Sequence, residues 1–264
     1  MNTRGWSAVL LMTGSTALLT ASYQSAGADT LCVYPGKSGC FAKIGDAVNA
    51  ANAGDTIQVA PGTYFEDVII GKSLSLIGAH RASTIIDAKG QPNGIYIDGL
   101  DKPGLSEVVV RGFTIQNANF EGILVTNASS VTISDNRVVS NNLALNVSNP
   151  EAPTCPGTPN FETNEDLDCG EGIHFSGVDH STVANSVIMN NSGGILLSDD
   201  TGRTDDNLIT GNVVQGNPYD CGITLAKYSS KYFSDSDIAE LIHLHHSSHI
   251  RDGHAMHTRT ASWP

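Results

Sequence analysis

Gly122-Ile123-Leu124-Val125, followed by Val131-Thr132-Ile133-Ser134-Asp135-Asn136-Arg137-Val138-Val139-Ser140-Asn141, is the stretch that decides the fold. It holds three short segments rich in β-branched residues, parted by Asn, Asp and Ser, which favour turns. Its opening tetrapeptide recurs as Gly94-Ile95-Tyr96-Ile97, Ala144-Leu145-Asn146-Val147, Gly172-Ile173-His174-Phe175, Gly194-Ile195-Leu196-Leu197 and Gly222-Ile223-Thr224-Leu225. The intervals are 28, 22, 28, 22 and 28 residues. Its second part returns as Val183-x-x-Ser186-x-Ile188-x-x-Asn191 and Ile209-x-x-Asn212-x-Val214-x-x-Asn217, with Val109-x-x-Gly112-x-Thr114-x-x-Asn117 as the earliest copy. A period in the twenties built from short strands means a solenoid, each turn of chain making about three strands and stacking on the next at about 4.8 Å. Alternation puts Ile95/Ile97, Ile123/Val125, Leu145/Val147, Ile173/Phe175, Ile195/Leu197 and Ile223/Leu225 inside, in aliphatic columns. Asn117, Asn141, Asn191 and Asn217 are expected to form a ladder at one turn, with a left-handed backbone.

Upstream the period differs. Phe41, Ile44, Ala47/Val48 and Ala51 are spaced three to four apart, which predicts an amphipathic helix over Phe41–Ala53 with Gly54 as its stop. Thr56–Val59, Asp67–Ile70 and Ser73–Ile77 then read as strands. One helix before many strands is expected to cap the first coil, whose open edge would otherwise pair with another chain. The fold class is all-β, a solenoid over residues 29–226 with a short N-terminal capping helix.

Composition agrees. Of 264 residues, 40% are hydrophobic and only 16% charged, which excludes a disordered chain. Twenty-seven acidic against 14 basic residues give a charge of -13, which repels nucleic-acid phosphates and anionic lipid surfaces. Residues 1–28 read as a signal peptide: Arg4, a short apolar stretch from Ala8 to Leu19, and Ala26-Gly27-Ala28 as the cleavage pattern. The mature chain is then secreted or periplasmic from Asp29, with no membrane span. Five cysteines in an exported protein suggest crosslinks; Cys32/Cys40 and Cys155/Cys169 are plausible local pairs among several, and Cys221 is left over.

With Asp55-Thr56-Ile57-Gln58-Val59-Ala60-Pro61-Gly62-Thr63-Tyr64 and Gly112-Phe113-Thr114-Ile115 added to the repeats, residues 41 to 226 resemble the right-handed parallel β-helix of the pectin-lyase-like superfamily. The resemblance implies a secreted protein that interacts with polysaccharide or a surface glycan along an outer groove. It does not imply one activity, since this fold hosts lyases, hydrolases, epimerases and non-catalytic members. Pectate-lyase-like members use Ca²⁺ with a basic residue, a role that would fall here on Arg203. Asp199-Asp200 resembles a polygalacturonase-like pair, but the accompanying Gly-His-Gly and Arg-Ile-Lys motifs are absent. Val178-Asp179-His180 lacks the proline of the epimerase-like Asp-Pro-His motif. No catalytic set is complete.

On the residues themselves, Tyr96, Leu124, Asn146, His174, Leu196 and Thr224 should face outward as a groove floor, with Glu121 and Glu171 just before the strands. His174 beside Glu171 is a candidate acid–base pair; a surface histidine is the competing reading. Asp199, Asp200, Asp205 and Asp206 lie in one loop, and Glu162, Glu165, Asp166 and Asp168 in the Cys155–Cys169 segment. Carboxylates on neighbouring coils suit Ca²⁺, whereas a solvated charge run is the plainer alternative. Residues 227–264 hold six of nine histidines and break the repeat. They read as a tail outside the fold, with a metal-binding histidine tract as the alternative. Two functions stand: a Ca²⁺-assisted polysaccharide lyase or epimerase using His174, Glu171, Asp199, Asp200 and Arg203, or a non-catalytic glycan-binding or structural module.

Overall fold

The computed structural model describes residues 27–149, 154–157, 169–219 and 222–227, and the tail segments 242–244, 249–250 and 257–260. Residues 1–26 of the stretch read as a signal peptide (1–28), most of the Cys155–Cys169 segment with its four carboxylates, Cys221 and most of the tail lie outside the described residues. Three parallel sheets wind into a β-helix, each coil giving one strand to each sheet. The first sheet stacks Thr30–Val33, Thr56–Val59, Ser75–Gly78, Val109–Arg111, Thr132–Ser134, Thr182–Ala184 and Asn207–Thr210. The second runs from Gly62–Tyr64 to Val213–Gln215, and the third from Val68–Ile70 to Ile223–Lys227. Ile242–Leu244, His249–Ile250 and His257–Thr260 add one further strand to each sheet. Ile242–Leu244 is thus a strand, where the sequence from Ile238 to His245 also allows a short amphipathic helix.

Register follows the tetrapeptides. Ile95, Ile123, Ile173, Ile195 and Ile223 are successive partners in the third sheet, as are Ile97, Val125, Phe175, Leu197 and Leu225. Apart from the half-buried Leu225 these side chains form the closed core with Leu76, Val110, Ile133, Val183 and Ile209 of the first sheet. Ala144–Val147 corrects the expectation. Ile123 pairs directly with Ile173, so this segment is no coil of its own, and Asn146 instead bridges Thr154 in antiparallel fashion. Leu145 and Val147 therefore miss the core. The chain spends 50 residues between equivalent corners here, against 26 in the next coil.

The corners show why the repeats need Asn and Ser. Asn191 Oδ1 accepts from Asn141 N (3.1 Å), and Asn217 Oδ1 from Asn191 N (2.9 Å). A parallel ladder at a second corner links Phe113 N to Asn136, Asn136 N to Ser186 and Ser186 N to Asn212. The left-handed residue is the one before each ladder member: Ser140, Asn190 and Gly216 in the first case. Asn117 is itself left-handed and bonds Asp87, and Ala118 takes the ladder place by donating to Asn141 Oδ1 (3.0 Å). At Gly112 (φ 85°) the coils touch so closely that a Cβ would lie 2.5 Å from the Gly78 carbonyl oxygen.

The helix is Ile44–Ala50, shorter than Phe41–Ala53, and packs Ile44, Ala47 and Val48 onto the first coil. Its first amides have no local side-chain cap; Glu66 of the next coil accepts from Ile44 N (2.8 Å) and Gly45 N (2.9 Å). Lys72 Nζ donates to the Ala51 carbonyl at the other end (2.8 Å). Disulfides join Cys32 to Cys40 and Cys155 to Cys169. No described helix is long and apolar enough to cross a membrane.

Candidate metal-binding site

Tyr96, Leu124, His174, Leu196 and Thr224 stand in register on the outer face of the third sheet, and Asn146 does not join them. This face is not an open floor. Leu124, His174, Leu196 and Thr224 are all buried, His174 with 2% of its surface exposed. An imidazole there must satisfy both ring nitrogens within the protein.

Glu121 and Glu171 occupy equivalent places one coil apart, each just before a glycine, Gly122 and Gly172. Those glycines leave room for the neighbouring coil: a Cβ on Gly122 would sit 2.6 Å from the Gly172 carbonyl oxygen. The Glu121 carboxylate takes the Glu171 amide on Oε2 (2.6 Å) and faces His174 Nδ1 with Oε1 (3.1 Å). The other ring nitrogen, Nε2, lies 2.8 Å from Ser198 Oγ on the next strand. An ionised carboxylate only accepts, so Nδ1 carries a proton in this arrangement, and in the neutral ring Nε2 is then the acceptor for the serine hydroxyl. Among the described residues, Glu121, Glu171 and His174 are the one group of three acidic, His or Cys side chains with ligating atoms all within 4.8 Å of one another. All three are buried.

The pairing of His174 with Glu171 suggested by sequence is thus brought together, with Glu121 as third member and Ser198 behind the ring. Both additions were legible only in register: Glu121 holds the same repeat position as Glu171, and Ser198 ends the strand that pairs with His174's own. The acidic loop separates. Asp199 is fully buried after Ser198 and Asp200 half-buried, while Arg203 lies at the exposed rim with its guanidinium 2.7 Å from Asp205. Burial holds the Asp205 carboxyl above its ordinary range, with Arg203 opposing. Asp206 and Asp179 flank the exposed His180 at 3.5 and 3.2 Å. Asp199, Asp200, Asp205 and Asp206 form no ligating group among the described residues.

A family model described as NosD, periplasmic copper-binding protein, matches residues 48–238. No curated protein matches the sequence. Among solved structures, an alginate lyase from Paenibacillus sp. str. FPU-7 superposes with a TM-score of 0.53 at 14% identity, over 75% of this chain and 64% of the lyase. This chain therefore spans less than two thirds of that enzyme's length. ORF18 of Geobacillus virus E2 gives 0.48 at 14% identity, over 72% and 35% of the two chains, and pectin methylesterase from carrot 0.43 at 13%, over 90% and 73%.

Proposed function

The chain belongs to the NosD family of periplasmic copper-binding proteins, and on that premise we propose that it is an exported β-helix protein whose Glu121, Glu171 and His174 hold a divalent metal ion, copper(II) foremost. One observation carries this reading: two carboxylates and an imidazole, all withdrawn from water, converge within 4.8 Å. Ionised carboxylates at that separation repel strongly in a low dielectric, and a divalent cation among them reverses the sign.

The donor set fits. Imidazole nitrogen with carboxylate oxygen suits Cu²⁺ and the other late divalent ions, and the cluster offers neither the thiolate nor the thioether that Cu⁺ prefers. Calcium, expected on Asp199, Asp200, Asp205 and Asp206, takes six to eight oxygens, and this cluster gives it less than it needs. As a ligand through Nδ1, His174 would be the other neutral tautomer, with its one ring proton on Nε2 instead of Nδ1. Ser198 Oγ, 2.8 Å away, would accept from that Nε2–H and fix the ring through its outer partner. Copper held there supplies a strongly Lewis-acidic, redox-active centre.

Titration of the full chain with Cu²⁺, followed by electron paramagnetic resonance, tests the site. Wild type should bind one ion more than His174→Ala or the Glu121→Gln/Glu171→Gln double variant, which leaves any copper on the tail histidines common to all. Equal stoichiometry and spectra in the three proteins would sink the proposal.

A second reading is interaction with polysaccharide, as a lyase, an epimerase or a non-catalytic module. The solenoid shared with an alginate lyase supports it, and so does a cavity edged by Tyr219 with no charged side chain among its described lining residues. A lyase would release an unsaturated product with new ultraviolet absorbance; a module would bind without turnover.

A further inference from the structure

Where the second sheet turns into the third, the coils leave a cavity of about 440 Å³. Leu143, Val147, Asn190, Ser192, Pro218 and Tyr219 shape it. It exists because the 50-residue coil leaves the solenoid path after Asn142, so Leu143 and Val147 stand out as one wall. The opposite wall is the Pro218-Tyr219 corner, pinned by Tyr219 N to the Ser192 carbonyl (3.1 Å). Leu143, Val147 and Tyr219 remain 51%, 39% and 42% exposed. Ser192 is buried, and its hydroxyl has no hydrogen-bond partner among the described residues.

From this wall chemistry we propose that the cavity binds a neutral pyranose unit of a glycan. The proposal rests on the polysaccharide reading above and narrows it to a place and a sugar class. A pyranose ring has apolar C–H faces and a rim of hydroxyls. Tyr219, Leu143 and Val147 present apolar surface to the first, and the Asn190 amide and Ser192 hydroxyl are partners for the second. The volume lies within the range of small-molecule sites. No charged side chain lines the cavity among the described residues. In a chain of charge -13, nothing there offsets the repulsion of a uronate carboxylate. The sugar is therefore neutral, and its binding does not need the metal cluster.

The test is calorimetric titration of the full-length protein with a neutral glucan hexasaccharide and with a galacturonate hexamer. The neutral oligomer should bind, and Tyr219→Ala should weaken it about tenfold, while Tyr219→Phe leaves it within about twofold. Tyr219 is exposed enough for its replacement to spare the fold, which circular dichroism verifies. Binding of the acidic oligomer alone would overturn the neutral-sugar assignment yet keep the polysaccharide reading. Neutral binding indifferent to Tyr219→Ala would overturn the location. Binding of neither oligomer would count against both.

Discussion

Asp67, at the start of the third sheet, shows how a single side chain sets a pH dependence. Its Oδ1 is buried with no hydrogen-bond partner among the described residues, and burial pushes its pKa from 3.8 to about 7. Below pH 4 the carboxyl is protonated in folded and unfolded chains alike, and it costs nothing. Between about pH 4 and pH 7 the unfolded chain ionises while the folded one keeps its proton, so stability falls as pH rises, by up to about 1.4 kcal/mol per pH unit. Above pH 7 the loss is complete. Urea denaturation of Asp67→Asn against wild type should therefore show near-equal stability at pH 4 and a more stable variant at pH 8. A gap independent of pH would mean that Asp67 is well solvated. Comparing the two proteins removes the background of the other carboxylates, which titrate in both.

At the scale of elements, the corners carry more of the architecture than their polar sequence suggests. Asn191 accepts from Asn141 N and Nδ2 (3.1 and 3.0 Å) and donates to the Val138 carbonyl (3.1 Å), all away from water. Asn191→Ala strips these bonds and leaves the Asn141 amide without its acceptor, at a cost of about 2–4 kcal/mol. Asn185, one place before its own ladder residue Ser186, supplies a left-handed turn (φ 53°) that glycine adopts freely. Asn185→Gly should change stability by less than about 0.5 kcal/mol, so thermal melts of the two variants separate ladder from turn. The strands and their inward residues were readable because alternation and period are local properties. Ladder geometry was not, since Asn117 and Asn141 end the same pattern and only the adjoining coil decides which bonds upward. Likewise Glu121 and Glu171 look like two isolated acids until the coils stack them beside His174.

For the whole molecule, coil length is the variable that sequence periodicity misjudged. Ala144-Leu145-Asn146-Val147 matches the tetrapeptide at 22 residues, yet Ile123 pairs directly with Ile173, so the two strands are neighbours in the stack and the tetrapeptide between them is no coil of its own. A solenoid holds each coil by its neighbours, so length added between strands costs only loop entropy and need not disturb the stack. The converse should hold. Removing Leu145–Asp168, with Cys169→Ser to avoid a free thiol, shortens the 50-residue separation to the 26 of the following coil. The Asn141–Asn191 bonds and the Ile123–Ile173 register lie outside the deletion, so the chain should still fold into the parallel β-helix. Two losses are expected with it. Phe120, now 6% exposed beneath the Gly157 turn, would meet water, and the Cys155–Cys169 crosslink would go. Together they should lower the melting temperature by several degrees while leaving one cooperative transition and an unchanged β signal in circular dichroism. The same protein lacks Val147 and so should lose the neutral glycan, yet keep the copper that Glu121, Glu171 and His174 hold. A broad, non-cooperative melt would show that the excursion is part of the solenoid's core, and the division between a repetitive scaffold and a grafted binding loop would fail.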